Sequence, residues 1–135
     1  MKPVSIKPIG IIRSELKKIE EAPLFYTEGA PDAFLELDPA YAEGLDRMQA
    51  DDEIIVITWL HRARRDMLRV HPRDDASRPL RGVFSTRSQD RPNPVGLHRV
   101  KVLEMRGSRL HIGPIEAIDG TPVIDIKRVV DSKDY

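Results

Sequence analysis

The chain has no cysteine among its 135 residues. Disulfide bonds, thiolate metal sites and cysteine nucleophiles are therefore excluded. It also has no apolar run close to the roughly 20 residues that a membrane-spanning helix needs, and its first residues lack the apolar stretch of a secretory signal. We therefore expect a cytoplasmic protein that makes no membrane contact.

Several catalytic and cofactor motifs are missing as well. His71, His98 and His111 show no metal-ligand spacing and the His-Glu-x-x-His pattern does not occur, so no metal is expected. The Gly-x-Ser-x-Gly elbow of serine hydrolases is absent. Neither Gly-x-Gly-x-x-Gly nor a Gly-Lys-Ser/Thr phosphate-binding loop is present. A nucleotide-like cofactor would have to bind without a Rossmann turn.

Charged residues are plentiful but unevenly distributed. They make up 33% of the chain, and the net charge is zero. Residues 1–60 carry 6 basic and 12 acidic side chains (−6), residues 61–109 carry 13 and 5 (+8), and residues 110–135 carry 3 and 5 (−2). A concentrated positive segment can hold a polyanion such as RNA. Alternatively, the acidic first part of the chain neutralises it in the fold.

The hydrophobic pattern predicts many short strands and one short helix. Residues 53–61 are nearly all apolar and indicate a central core strand. Asp38, followed by proline, is a helix start, with Tyr41, Leu45 and Met48 at helical spacing after it. Further strands are predicted at residues 5–14, 33–37, 83–85, 97–105, 109–112 and 123–130. This pattern predicts a single all-β domain over residues 1–135, a barrel or sandwich with a short helical plug.

A stiff loop spans residues 82–96. Pro92 and Pro94 fix their own φ angles and push their neighbours toward extended conformations, and Gly96 lets a ligand or another backbone segment come close. Stiffness lowers the entropic cost of holding polar side chains in one geometry. With no phosphate-binding, metal or nucleophile motif elsewhere, this loop is the main candidate site.

The loop carries three candidate binding side chains. Two guanidinium groups four residues apart, Arg87 and Arg91, suit a phosphate or a carboxylate, and Asn93 offers both a donor and an acceptor. The alternative is a structural corner whose arginines pair with Asp90 and other acids.

Polar residues near other strands have similarly open interpretations. His61 ends the apolar strand and either faces a pocket or forms a half-buried cap. Asp119 precedes a glycine and fits a turn. Asp125 and Lys127 are two residues apart on one strand, so they share a face and can form a simple ion pair.

Three sequence blocks resemble the TrmO/TsaA-like (YaeB-like) family. Residues 82–88 (Gly-Val-Phe-Ser-Thr-Arg-Ser) and 91–97 (Arg-Pro-Asn-Pro-Val-Gly-Leu) resemble its signature. Residues 119–127 (Asp-Gly-Thr-Pro-Val-Ile-Asp-Ile-Lys) resemble its second block, and residues 8–14 (Pro-Ile-Gly-Ile-Ile-Arg-Ser) resemble its opening strand. The resemblance implies a small all-β barrel with one or two short helices, S-adenosylmethionine as methyl donor, and a homodimer with the cofactor near the subunit interface. It also implies N6-methylation of threonylcarbamoyladenosine next to the tRNA anticodon.

The resemblance also implies site residues. Cofactor contacts are implied at His61, Arg62, Arg87, Leu97, Gly113, Pro114, Ile115 and Glu116. Arg91, Asn93 and Lys127 are expected to shape the site or bind the RNA substrate. Asp119 and Asp125 are the candidate catalytic residues that accept the N6 proton. Either Arg87 or Arg91 would hold the threonyl carboxylate, and Glu116 would accept a ribose or amino group of the cofactor.

The chain departs from the family pattern in its first loop and after His61. Residues 23–26 read Pro-Leu-Phe-Tyr where the family often has a Pro-Arg-Gln-Pro-like stretch, and Arg62 stands where glutamine is common. Many members have a C-terminal extension associated with tRNA recognition, so two alternatives stay open here: a different substrate, or an RNA contact supplied by the arginine-rich residues 62–81. Two other functions stay open: a non-catalytic RNA- or nucleoside-binding β-barrel module, and a nucleoside sensor.

Overall fold

Six antiparallel strands pair in a closed ring. The computed structural model describes residues 1–23 and 29–131. The strands of the ring are β1 (Gly10–Arg13), β2 (Ala33–Leu37), β3 (Glu53–Trp59), β6 (Val95–Arg106), β7 (Arg109–Gly113) and β8 (Pro122–Arg128), in the order β1-β2-β7-β6-β3-β8. β4 (Arg69–Val70) and β5 (Arg81–Gly82) form a separate two-stranded ribbon. The all-β barrel that the sequence predicted is confirmed.

Alternating side chains fill the barrel. In β3, Ile54, Val56 and Thr58 point inward and are buried, and the residues between them are partly covered on the outer face. The buried hydrophobic core consists of Ile12, Ala33, Leu35, Leu37, Leu45, Ile54, Val56, Val100, Val102, Leu110, Ile112, Ile115, Ala117 and Val123. The apolar run that predicted a core strand is confirmed, since Ile54 and Val56 of β3 are buried in this core.

The helical segments of residues 1–23 and 29–131 are short 3-10 helices at Ile19–Glu21, Pro39–Leu45, Pro72–Asp74 and Val83–Ser85. The predicted helix start is present, since the Asp38 carboxylate accepts a hydrogen bond of 3.0 Å from Ala40 N and Leu45 is buried against the core. The strand predicted at residues 83–85 is a 3-10 turn instead, because the Val83 carbonyl accepts the main-chain N–H of Thr86. None of the helices in residues 1–23 and 29–131 is long and apolar enough to cross a membrane.

The two ends of the barrel differ in what connects the strands. One end carries the three connections β1–β2 (residues 14–32), β3–β6 (residues 60–94) and β7–β8 (residues 114–121). The opposite end carries the β2–β3 connection, which includes the Pro39–Leu45 helix, and a tight β6–β7 turn at Gly107 with φ +59°. The predicted functional loop therefore lies at the end with the three long connections, called the site end below.

Candidate functional site

Main-chain hydrogen bonds tie the connections of the site end together. In the β3–β6 connection, Leu60 N donates to Pro94 O (2.8 Å) and Arg91 N donates to Arg64 O (3.0 Å). The β7–β8 connection is held to the β1–β2 connection, because Ile115 N donates to Pro31 O at 2.9 Å. These bonds bring the residues that follow β3 beside the stiff loop that precedes β6.

Arg91 is built into the loop. Its Nε donates to Ser88 O at 2.8 Å, and its Nη2 donates to Val83 O and Thr86 O, both at 2.7 Å. A guanidinium that already serves three main-chain carbonyls shapes the loop from within. Asp90, the acid expected to pair with the loop arginines, instead accepts the main-chain N–H of Arg64 at 2.8 Å.

Asn93 is held by a neighbouring arginine. Arg65 donates from Nη2 to Asn93 Oδ1 at 3.2 Å and from Nε to Pro92 O at 2.7 Å. The same guanidinium lies 5.0 Å from the centre of the Trp59 ring, within the range of a cation–π contact. Arg65 was predicted only as part of the arginine-rich RNA contact, and in the structure it fixes the orientation of the asparagine.

Two arginines of the site end keep their guanidinium groups open to solvent. Arg62 and Arg87 are exposed and make no hydrogen bond or ion pair with any residue in the described ranges. His61, next to Arg62, is also exposed. Partial desolvation and, to a smaller extent, the charge of Arg62 lower the pKa of His61 below its usual 6.5, so the ring is neutral at pH 7.

A chain of buried polar side chains runs beneath the site end. Thr58 Oγ1 lies 2.6 Å from His98 Nε2, and His98 Nδ1 lies 2.7 Å from Glu116 Oε1. An ionised carboxylate only accepts hydrogen bonds, so we assign Nδ1–H as the donor to Glu116 and Nε2 as the acceptor of the Thr58 hydroxyl. Gly96 leaves room for this contact, because a Cβ there would lie 2.6 Å from Thr58 Oγ1 and 2.8 Å from His98 Nε2.

Sequence reasoning missed Thr58 and His98. The available signal was the period of two in β6, which places His98 on the same inward face as Val100 and Val102. A histidine among inward aliphatic residues must find polar partners, and the pattern alone does not name them.

Glu116 leaves one acceptor unused. Its Oε2 atom is buried and has no hydrogen-bond partner among the described residues. Two neighbours in the predicted cofactor segment have structural roles in the β7–β8 connection. Ile115 is fully buried in the core, and Gly113 packs so closely on Asp32 that a side chain at position 113 would collide with it. Of these three residues, Glu116 is the one that offers a polar group to a ligand.

Asp119 is fully engaged with groups of the β1–β2 connection. Its Oδ1 accepts the main-chain N–H of Ser14 at 3.0 Å, and its Oδ2 lies 3.2 Å from Lys17 Nζ and 3.9 Å from Arg13 Nη1. The Ser14 hydrogen bond, followed by the two cations, lowers the pKa of Asp119. A carboxylate held in this way is a weak base. Asp119 borders an open depression of about 450 Å³, which is also lined by Arg13, Lys17, Asp32 and Phe34.

The remaining predicted residues lie on the outside of the barrel wall. Ile57 pairs with Leu97 on one side and Asp125 on the other, and this row faces outward. A bulge in β8 opposite Ile57 and Thr58 puts Asp125 outside although Val123, two residues earlier, points inward. Lys127 Nζ lies 3.7 Å from Asp125 Oδ2, so the expected simple ion pair is present.

Within residues 1–23 and 29–131, no group of three or more His, Asp or Glu side chains is arranged to hold a metal ion. The unusual first-loop stretch at residues 23–26 lies outside the described residues except for Pro23.

Comparison with known sequences gives a family match and several relatives. The family model described as tRNA-methyltransferase O N-terminal domain matches residues 8–135. A probable S-adenosyl-L-methionine-binding protein of Methanothermobacter thermautotrophicus is 42% identical over 124 residues, which is 92% of this chain and 88% of that protein. An S-adenosyl-L-methionine-binding protein of Archaeoglobus fulgidus is 41% identical and aligns over 91% of this chain and 87% of its own length.

Solved structures have the same fold. TrmO from Pseudomonas aeruginosa superposes with a TM-score of 0.78 at 30% identity, and a second TrmO crystal structure superposes with a TM-score of 0.77 at 31% identity. The alignments cover 98% and 96% of this chain, but 59% and 58% of the two TrmO chains. The chain thus spans about three fifths of the solved TrmO proteins.

Proposed function

This chain belongs to the tRNA-methyltransferase O N-terminal domain family, and we propose that it transfers a methyl group from S-adenosylmethionine to tRNA. The acceptor that we propose is N6 of threonylcarbamoyladenosine next to the anticodon. The observation that carries the proposal is the site end itself: the connections that carry the signature loop, His61 and Glu116 leave the same end of the barrel, and Glu116 has a buried carboxylate oxygen without a partner among the described residues. The names of the two archaeal relatives support the choice of methyl donor.

The residues present fit the cofactor. S-adenosylmethionine offers an ammonium group, ribose hydroxyls and an adenine amino group as donors, and a carboxylate as acceptor. Glu116 Oε2 is a buried acceptor without a partner among the described residues, and Arg62 is an exposed guanidinium suited to a carboxylate. When bound, the cofactor supplies an electrophilic methyl group on its sulfonium sulfur.

The chain must assist the loss of a proton from the acceptor. N6 of the ureido group has a delocalised lone pair, so it is a poor nucleophile, and it gives up its hydrogen as the new N–C bond forms. Asp119 is a weak base with a lowered pKa, and Asp125 lies on the outer wall. We assign the proton acceptor to His61, because its ring is neutral at pH 7 and solvent-accessible at the site end.

We assign the orientation of the acceptor nucleoside to Arg87. The threonyl carboxylate calls for a forked pair of donors. Arg91 spends its Nε and Nη2 groups on main-chain carbonyls, whereas Arg87 is exposed and without a partner among the described residues. In this proposal Arg91 and Asn93 keep the loop rigid, and Arg87 provides the bidentate grip that aligns N6.

A homodimer and a cytoplasmic location belong to the same proposal. Leu97 is 50% exposed on the outer wall, where it is paired with Ile57, and Val95 is also exposed there. An exposed apolar strip on a strand face favours contact with a second copy. A tRNA substrate favours the cytoplasm.

Mass spectrometry of tRNA nucleosides tests the proposal. Purified protein is incubated with S-adenosylmethionine carrying a deuterated methyl group and tRNA containing threonylcarbamoyladenosine. We expect a labelled methyl group on that nucleoside, and none on tRNA lacking the threonylcarbamoyl group. Calorimetry with S-adenosylmethionine is run in parallel. RNA binding without cofactor binding or methylation would instead identify a non-catalytic RNA-binding module.

A further inference from the structure

The β4–β5 ribbon and the 3-10 turn after it expose unusual apolar side chains. Leaving aside residues 1–6, the most exposed large apolar side chains in the described chain are Phe84 (81% exposed), Leu68 (65%) and Leu80 (54%). Burial of the neighbouring Val70 and Val83 explains how the ribbon is anchored, but it does not explain why Phe84 points to solvent. Several exposed apolar side chains on neighbouring chain segments, unlike a single one, indicate a binding surface.

The ribbon brings together the chain segments that carry these side chains. Arg69 pairs with Gly82 and Val70 with Arg81 across the ribbon, and Val83 N donates to Leu68 O at 2.9 Å. Paired residues share a face of the ribbon and successive residues alternate between faces, so Arg81 lies on the face of Val70 and Arg69 lies on the opposite face. Exposed arginines therefore stand on both faces of the ribbon, next to the turn that carries Phe84.

The charge of the surrounding segment identifies the kind of partner. Residues 61–91 contain nine arginines, four aspartates and no lysine or glutamate. Arg64 is paired with Asp66 and Arg78 with Asp75.

The guanidinium groups of four exposed arginines of this segment make no hydrogen bond or ion pair with any described residue: Arg62, Arg69, Arg81 and Arg87. Unpaired guanidinium groups around an exposed ring complement an RNA strand, because phosphates bind the arginines and an unstacked base covers the ring.

We propose that this surface, formed by Leu68, Arg69, Arg81 and Phe84, binds unpaired RNA, with Phe84 stacking on one base and Arg69 and Arg81 holding phosphates on the two sides of the ribbon. The inference rests on the proposed function, in which the target nucleoside lies in the single-stranded anticodon loop. It adds a second contact region to the site end, and none of these four residues is among the cofactor contacts that the sequence predicts.

Fluorescence anisotropy with a labelled anticodon stem-loop RNA tests the inference, with a blunt RNA duplex as the comparison. We expect Phe84→Ala to weaken stem-loop binding roughly five- to 150-fold, the range for loss of one base–aromatic stack. Duplex binding should change little, since its bases are not available for stacking. Phe84→Tyr keeps the ring and should bind within about twofold of the wild type. Because Phe84 is mostly exposed, the alanine variant should fold normally.

The salt dependence separates the ring from the arginines. Arg69→Gln and Arg81→Gln should each reduce the log–log salt slope of stem-loop binding by about 0.7, whereas Phe84→Ala should leave the slope unchanged. Arg106→Gln, at the opposite barrel end, is the matched control and should alter neither quantity.

The inference would be overturned if Phe84→Ala bound the stem-loop as tightly as the wild type, or if it lost as much affinity for the duplex as for the stem-loop. It would also be overturned if Phe84→Ala changed the oligomeric state in sedimentation, because the surface would then be a contact between two copies. Each can occur while the wild-type protein still methylates tRNA. Conversely, absence of methylation would refute the proposed function without altering a Phe84-dependent affinity.

Discussion

The guanidinium of Arg91 donates a 2.7 Å hydrogen bond to the main-chain carbonyl of Val83, eight residues earlier in the chain. Two more carbonyls, of Ser88 and Thr86, accept from the same side chain. The signature loop is thus folded around one of its own arginines, which makes its shape a property of the free protein.

Replacement of Arg91 should therefore affect stability. We expect Arg91→Ala to lower the free energy of unfolding by about 1–3 kcal/mol, because partly buried carbonyls lose charge-assisted bonds. Arg91→Lys should recover little, since an ammonium cannot reproduce the fork. Urea unfolding measures both. Arg87→Ala is the matched control and should change stability by less than about 0.5 kcal/mol. Equal losses for the two alanine variants would contradict the structural role of Arg91.

Gly96 should tolerate no side chain. A methyl group there would lie within 3 Å of both Thr58 Oγ1 and His98 Nε2, so we expect Gly96→Ala to cost about 1–3 kcal/mol of unfolding free energy. Gly44→Ala is the control, because nothing lies within 4 Å of the added atom. Combining Gly96→Ala with His98→Ala should cost less than the sum of the single changes. Strict additivity in thermal or urea unfolding would refute the contact.

Asp119 should stabilise the fold in a pH-dependent manner. Its pKa is lowered in the folded state by Ser14, Lys17 and Arg13, so its contribution is present above the unfolded value of about 3.9 and is lost as the pH falls through the lower folded value. Asp119→Asn keeps an acceptor for Ser14 N but loses the charge. We expect it to be about 0.5–1.5 kcal/mol less stable at pH 7 and to match the wild type in acid.

The control for that series is Asp125→Asn, which affects an exposed ion pair with Lys127 and should change stability by less than about 0.5 kcal/mol. Urea unfolding across the acidic range provides the curves. A difference between Asp119→Asn and the wild type that stays constant with pH would show that its charge is not involved.

The rate of methylation should follow the titration of His61. A base must be unprotonated to accept a proton, and the pKa of His61 lies below 6.5. The rate should therefore be flat at neutral pH and fall only as the pH drops through that lowered pKa. His61→Gln should remove this acidic limb along with most of the activity. A wild-type limb that persists in His61→Gln would assign it to another group.

Leu97 tests the proposed dimer. It is half exposed on the outer wall and lies in the same row as Ile57 and Asp125. We expect Leu97→Asp to shift the protein from dimer to monomer in sedimentation, because a charge would be buried at the interface. Leu103→Asp, which replaces a partly exposed apolar residue farther along β6, should not. A monomeric wild-type protein would refute this part of the proposal.

Local sequence patterns predicted the barrel strands well and the site unevenly. The apolar run at residues 53–61 predicted the core strand β3, and the Asp38 cap predicted the start of the helix. The bulge that turns Asp125 outward and the 3-10 turn at Val83 depend on tertiary hydrogen bonds, which a period of two does not encode. That the connections carrying His61, Glu116 and the loop share one barrel end follows from the strand order, and the Thr58–His98 contact joins residues 40 positions apart.

A closed barrel has no edge strand, and this affects how the sequence of the protein can change during evolution. The three connections at the site end leave and rejoin strand ends that are fixed by pairing on both sides. One connection can therefore lengthen, shorten or be exchanged while the anchor points of the other two stay in place. Evolution, or an engineer transplanting one connection from a relative, can retune what the barrel recognises without redesigning the barrel.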